Sequence, residues 1–411
     1  MPNAFAQRSP GDDTFSRAAL EADWRLAEVA EGLQFLLHVT PTDTDAAWRR
    51  FAAAGYLGEP DLTYRPLACD LDELEACVEK APVDDVPNPT AAELLREKRD
   101  ELRCKVAMLR HRGTPRFLEL SRRVYGEVDD DLLELAKRLL YRLPAEARGE
   151  PVKGRLDAAA FAVRAERELQ HYRRLHPEFS ARVEVSSDVP PSLMVSGDRL
   201  LVGSGTHIPK RRAEALIHHE IGTHLVTRFN GSRQPLRLLA CGLAGYDVLQ
   251  EGLAVLAEFL AGGLHRSRFR ILAARVVAVC RMTGGAAFPE TFRELAERFG
   301  FDDETAFTVA VRVHRSGGFT KDAVYLRGLA ALLEYLAGDG NGDLEPLLVG
   351  KVDLPHAPAV RKLLERKLLA PPALIPRYLD SGEAQGRLAL VREGLTPLDL
   401  LDGRPLDRRP R

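Results

Sequence analysis

Residues 215–229, ALIHHEIGTHLVTRF, describe a helix that has to be buried and nevertheless carries three histidines. Ala215, Leu216, Ile217, Ile221, Leu225 and Val226 crowd it with apolar side chains, too densely for a surface helix. His218, His219 and His224 then need partners, because an unsatisfied buried polar group is costly. A metal ion is one way to supply them. In the usual zinc-peptidase pattern, HExxH, the histidines lie four residues apart, about 40° in projection on a regular helix. Here the pattern is His219-Glu220-Ile221-Gly222-Thr223-His224, and five residues set the rings about 140° apart. One extra residue absorbed in a π-type turn restores convergence, and Gly222 tolerates the distortion. A widened turn across Gly222 is therefore expected. Glu220 and His224 are themselves four apart and form an alternative ligand pair. His218 reads as a supporting group or a surface residue.

A third ligand is needed. Gln250-Glu251-Gly252-Leu253-Ala254 opens a mostly apolar helix whose acids are Glu251 and Glu258. A carboxylate on a second helix is the arrangement of glutamate-type zinc peptidases, many of which carry a similar Glu-Gly-x-Ala segment. Glu251 is the expected third ligand, and Glu258 reads as structural. Two histidines and one glutamate leave a coordination position for water, which marks a catalytic rather than a structural zinc site. Glu220 is the expected general base toward that water, and the metal would polarise the scissile carbonyl.

The segment from Arg312 to Gly328 is rich in basic groups. Arg312 and Arg315 are expected to hold a substrate carboxylate, and Tyr325 to stabilise an oxyanion. His314, Lys321 and Arg327 are further substrate-binding candidates. The bland alternative is a solvated loop with Lys321 and Asp322 paired at the surface. Gly203-Ser204-Gly205 lacks both the Walker pattern and the dinucleotide fingerprint. It is expected at the rim beside the histidine helix, with the strand from Arg199 to Val202 as an edge for extended peptide.

Around these motifs the chain reads as α+β and predominantly helical. Helices are expected from Thr90 to Arg112, Arg116 to Tyr125, Asp129 to Leu143 and over 156–174. Short strands from Arg182 to Val185, Ser192 to Val195 and Arg199 to Val202 are expected to form a small antiparallel sheet beside the metal-binding helix. The division expected is a flexible leader (1–18), a helical N-terminal domain (19–150), a catalytic domain (151–345) and a C-terminal extension (346–411). That extension is expected to hold a helix over 357–369 and a disordered end. With 58 Lys plus Arg against 60 Asp plus Glu, net charge supplies no pull toward nucleic acid. No apolar run is long enough to span a membrane, and the N-terminus lacks a signal-peptide core. Five cysteines without a CxxC pair read as free thiols in a reducing, cytoplasmic setting.

At HEIGTH (219–224) and QEGLA (250–254) the chain resembles a known family. Its bacterial members are labelled flavohaemoglobin-expression-modulating QEGLA-motif proteins. Its animal members are the microtubule-associated tyrosine carboxypeptidases, which remove the C-terminal tyrosine of α-tubulin. The resemblance spans roughly residues 20–380 and takes in RGT at 112–114 and GGFTKDAVYLRG at 317–328. It implies a glutamate-type zinc-peptidase-like core, one zinc ion on His219, His224 and Glu251, and a catalytic Glu220. The reading of the residues alone reaches the same four. The expected activity is a zinc carboxypeptidase acting on a peptide or protein C-terminus. The alternatives are an endo- or aminopeptidase of the same zinc class and a regulatory protein that keeps the metal site without turnover. The chain starts close to the shared segment, without the long leader expected of an animal member, so tyrosine specificity is not carried over.

Overall fold

A computed structural model describes residues 14–145, 154–187, 189–338 and 342–401. Helices dominate it, and two small sheets sit beside the histidine helix. Ser16 caps the first helix, Arg17–Gly32, so the chain is helical before the end of the expected leader. Residues 1–13 of that leader lie outside the described residues. Asn88 Oδ1 accepts from the Ala91 N–H at 3.1 Å and starts Pro89–Arg110. Pro89 fits this first turn because its missing N–H would have had no partner there. Gly113, at φ +84°, turns the chain into Pro115–Tyr125, and Asp129 caps Asp130–Arg142. These helices fall where the spacing predicts them.

Downstream, β1 (Arg155–Asp157) precedes a helix at Ala158–Leu175. β2 (Arg182–Ser186), β3 (Leu193–Ser196) and β4 (Arg199–Gly203) also lie where expected. Their arrangement corrects the expected antiparallel sheet. The order is β2-β4-β3, with β3 antiparallel to β4 and β2 parallel to it. Gly197, at φ +60°, closes the β3–β4 hairpin, and the link from β2 reverses direction before β3 begins. β4 then inserts between its two predecessors. The strand from Arg199 onward is therefore central and largely buried, not the expected edge; the edges are β2 and β3, and β3 is the one whose residues line the cavity described below. Three short apolar runs predict strands but not their order, which depends on which flank the returning chain occupies. A second sheet pairs β1 with β5 (His207–Pro209).

The histidine helix follows at once. It is α-helical at Ala213–Ile217, π-helical at His218–Leu225 and α-helical again at Val226–Ser232. The widened turn expected across Gly222 is present. A cluster of apolar side chains fixes this helix against Ala158–Leu175 and β4. The helix Asp247–Leu260 packs on the other side and is buried along nearly its whole length. It crosses Val324–Ala337 at very close range. A Cβ on Gly328 would sit 1.9 Å from Val248 O, and one on Gly252 would sit 2.5 Å from the Gly328 carbonyl carbon. The glycines of QEGLA and of YLRG are thus demanded by one helix crossing, which brings Glu251 against residues 321–325.

The main core draws on both ends of the chain, from Phe15 to Leu400. The C-terminal helix expected over 357–369 stops at Glu365, with Lys367 in the left-handed region. A further helix, Gly382–Arg392, was not anticipated. The expected disordered end falls on residues 402–411, outside the described residues. Among the described residues all five cysteines are free and no helix is long and apolar enough to cross a membrane.

Candidate active site

The π-type turn carries His219 and His224 to one side of their helix, with ring centroids 5.1 Å apart. Glu251 reaches them from the neighbouring helix. Its Oε2 lies 3.7 Å from His219 Nε2 and 3.8 Å from His224 Nε2. That oxygen is buried and has no hydrogen-bond partner. Both rings are held from behind, His219 Nδ1 by Glu258 Oε1 at 2.9 Å and His224 Nδ1 by Gln250 Oε1 at 3.4 Å. Donating N–H from Nδ1 to these oxygens leaves each Nε2 lone pair facing Glu251. Two imidazole nitrogens and one orphaned carboxylate oxygen suit a divalent metal of the zinc type. Glu220 also forms a compact group with the two histidines, its Oε1 4.0 Å from His219 Nε2. Glu251 is favoured as third donor because it approaches both Nε2 atoms more closely.

The carboxylates differ in charge preference. Burial raises Glu220 to about 7, and Glu251 and Glu258 add to this against the pull of His219. Glu251 is held at about 2 despite burial, by Lys321 foremost and then by the two histidines. Glu258 is likewise held at about 2 despite burial, by Arg268 and its hydrogen bond with His219. Such a split leaves one carboxyl group able to exchange a proton while its neighbours stay ionised.

Glu258 was read from sequence as structural, and here it is fully buried and orients His219 while pairing with Arg212 and Arg268. Its place two turns beyond Glu251, on the same helix face, was the available signal. His218 points elsewhere. Its Nδ1 lies 3.8 Å from Glu168, and its ring meets Tyr378.

A cavity of about 690 Å³ opens over the donors. Of the basic candidates, Arg312, Arg315 and Lys321 line it together with Tyr325, whereas His314 and Arg327 do not. His314 bonds Thr291 and packs on Phe288, and Arg327 is tied to the carbonyls of Tyr125 and Glu127. Lys321 is committed to Glu251 Oε1 at 3.1 Å and Asp247 Oδ1 at 3.2 Å. The alternative of a surface Lys321–Asp322 pair does not occur. Asp322 is buried and takes a two-pronged contact from Arg312, with Arg275 3.5 Å away. Arg315 is buried against the Phe319 ring and reaches Thr40 Oγ1 at 3.1 Å, while its Nε has no partner. Burial, with Arg312 close by, lowers its pKa to about 10. Asp322 thus answers both Arg312 and Arg275, while Arg315 has no carboxylate in ion-pair range among the described residues, and an anion entering the cavity would supply one.

Lys351 was missed. It lines the cavity from the C-terminal part, with no carboxylate in ion-pair range among the described residues, and burial lowers it to about 8. No local pattern marks it. The RGT segment braces the 312–328 segment from outside. Gly113 N–H donates to Ser316 O at 2.8 Å, and a Cβ on Gly317 would lie 2.6 Å from Thr114 O. Gly205 is also on the cavity wall, where the glycine-rich rim was expected.

The sequence model of the family described as "Microtubule-associated tyrosine carboxypeptidase" matches residues 49–395. Human "Microtubule-associated tyrosine carboxypeptidase 1" is 31% identical over 133 residues, which cover 30% of this chain and 27% of the human protein. The mouse protein of the same name is also 31% identical over 133 residues, 28% of its length. The matched region thus spans little more than a quarter of these curated relatives.

Proposed function

This chain belongs to the microtubule-associated tyrosine carboxypeptidase family, and we propose that it is a zinc-dependent carboxypeptidase acting on the C-terminus of a peptide or protein. The observation that carries this reading is one cavity holding both a convergent His219–His224–Glu251 donor set and an arginine cluster short of negative charge. A glutamate-type zinc-peptidase core is part of the same proposal.

Bound to His219, His224 and Glu251, zinc supplies Lewis acidity. Glu220 takes a proton from the attacking water and delivers it to the leaving amine. Tyr325 donates its hydroxyl toward the developing oxyanion. Arg315 pairs with the terminal carboxylate, while Arg312 stays locked to Asp322 and Lys321 holds Glu251 in place. Upstream residues lie extended along β3. In the alternation of the antiparallel ladder closed at Ser196 and Arg199, Leu193 and Val195 turn their N–H and C=O groups away from β4.

Metal analysis followed by digestion of paired peptides with free or amidated C-termini tests the proposal. Loss of single residues from free termini alone is the expected result. Arg315→Ala should lower kcat/KM at least about tenfold on free termini, the loss of one charge-assisted contact, and leave amidated peptides untouched. Equal cleavage of both forms would remove the carboxypeptidase reading in favour of an endopeptidase.

A further inference from the structure

π-Helical turns are rare and seldom persist without support, yet eight residues, His218–Leu225, adopt one here. The Thr223 hydroxyl helps by donating to His218 O at 3.2 Å. A regular α-helix would swing His224 about 100° away from its present direction for the one residue gained. Something outside the helix has to select the wide register.

The short 3-10 segment Arg377–Asp380 lies against this turn. Tyr378 is buried, and its ring closes on Gly222 so tightly that a Cβ there would stand 3.2 Å from Cδ1 and 3.3 Å from Cε1. The same ring meets His218 edge-on, 5.7 Å between centroids. Tyr378 is not among the residues lining the cavity. Its segment is pinned on both sides. Arg377 N–H donates to Tyr172 Oη at 2.9 Å, and its guanidinium reaches Glu168 at 2.6 Å. Asn230, on the histidine helix itself, exchanges hydrogen bonds with the backbone of Leu374, each 2.8 Å. Gly222 is not among the glycines at positive φ, so no backbone conformation reserved for glycine is needed there, and what a side chain would meet is this ring.

We propose that Tyr378 is a positioning residue. Its ring braces Gly222 and holds the turn in the wide register in which His219 and His224 converge. This rests on the metal-site reading above. Full-length protein freed of metal is titrated with Co²⁺, whose visible absorption bands report the coordination geometry. Failure of the unaltered protein to bind Co²⁺ removes the metal reading and this inference with it. Given binding, Tyr378→Phe should keep affinity and spectrum. Tyr378→Ala should weaken Co²⁺ at least about tenfold, the usual effect of losing support behind a ligand, and change the bands. Leu379→Ala, in the same segment, should lower thermal stability and leave affinity and spectrum as they were. Gly222→Ala tests the contact without emptying it: affinity should fall, and Tyr378→Ala in the same chain should restore part of it. Unchanged affinity and bands in Tyr378→Ala or Gly222→Ala would overturn the proposal.

Discussion

Lys321 is the cation on which the acidic half of the site depends, and replacing it with methionine isolates its contribution. The side chain is 5% exposed, with Nζ 3.1 Å from Glu251 and 3.2 Å from Asp247. Methionine keeps most of the volume and removes the charge. Asp247 retains Lys105 at 3.7 Å, but Glu251 is left beside the histidines with no lysine or arginine in ion-pair range among the described residues. Removing one partner of a buried pair costs about 3–5 kcal/mol. Lys321 is the foremost of the groups that hold Glu251 below its ordinary value against the effect of burial, ahead of the two histidines, so the loss falls chiefly on Glu251. Unfolding entropy of about 2.1 cal/mol/K per residue gives about 0.9 kcal/mol/K for a chain of 411 residues. Lys321→Met should therefore lower Tm by about 3–6 °C. The assay is calorimetry in excess chelator, so that metal binding does not contribute. Lys321→Met/Glu251→Gln, which removes the stranded charge as well, should recover much of the loss. A single variant melting within about 1 °C of the parent, or a double variant melting below the single one, would refute the reasoning.

Glu220→Gln should retain zinc by metal analysis and lose about 10²–10⁴-fold in peptide turnover, the usual contribution of general acid–base catalysis; undiminished turnover would remove Glu220 from the mechanism. Glu258→Gln should weaken zinc about 10–100-fold in a chelator competition, because His219 loses the charged group that orients it; affinity equal to the parent's would show that His219 is oriented by other contacts. Acid should destabilise the metal-free protein in a defined window. Asp247, Glu251 and Glu258 are each held at about 2 in the fold, so their stabilisation is complete above the unfolded carboxylate range near pH 4 and is lost as pH falls toward 2. Melting followed by circular dichroism from pH 5 to pH 2.5 should show a steady fall in Tm below pH 4, and a flat profile would contradict the assigned pairing.

Local spacing was enough for much of the fold. The helices expected from Thr90 and from Asp129 and the three strand segments are each marked by patterns within a few residues of themselves, and each element lies where that pattern put it. The widened turn at Gly222 was legible for the same reason, because the angle between two side chains on one helix depends only on the residues between them. Gly252 and Gly328 stand in segments the sequence singles out, but why they are glycine emerges only where two helices cross.

Sequence alone singled out the groups at 219–224 and at 251 that the fold brings together, since helical periodicity and residue chemistry are local. Tertiary structure decided which charges are free and which are spent. Lys321 and Arg312, neighbours in sequence of Arg315, are neutralised by Glu251, Asp247 and Asp322, while Arg315 keeps an unpartnered Nε and Lys351 arrives from the far end of the chain. It also decided that β4 is central and β3 an edge strand on the cavity. The physical reason is common to these cases: a buried charge takes its role from whatever partner the fold packs within a few ångströms of it, and a strand's neighbours are set by the path of the returning chain. Neither distance is written in the spacing of residues along one segment.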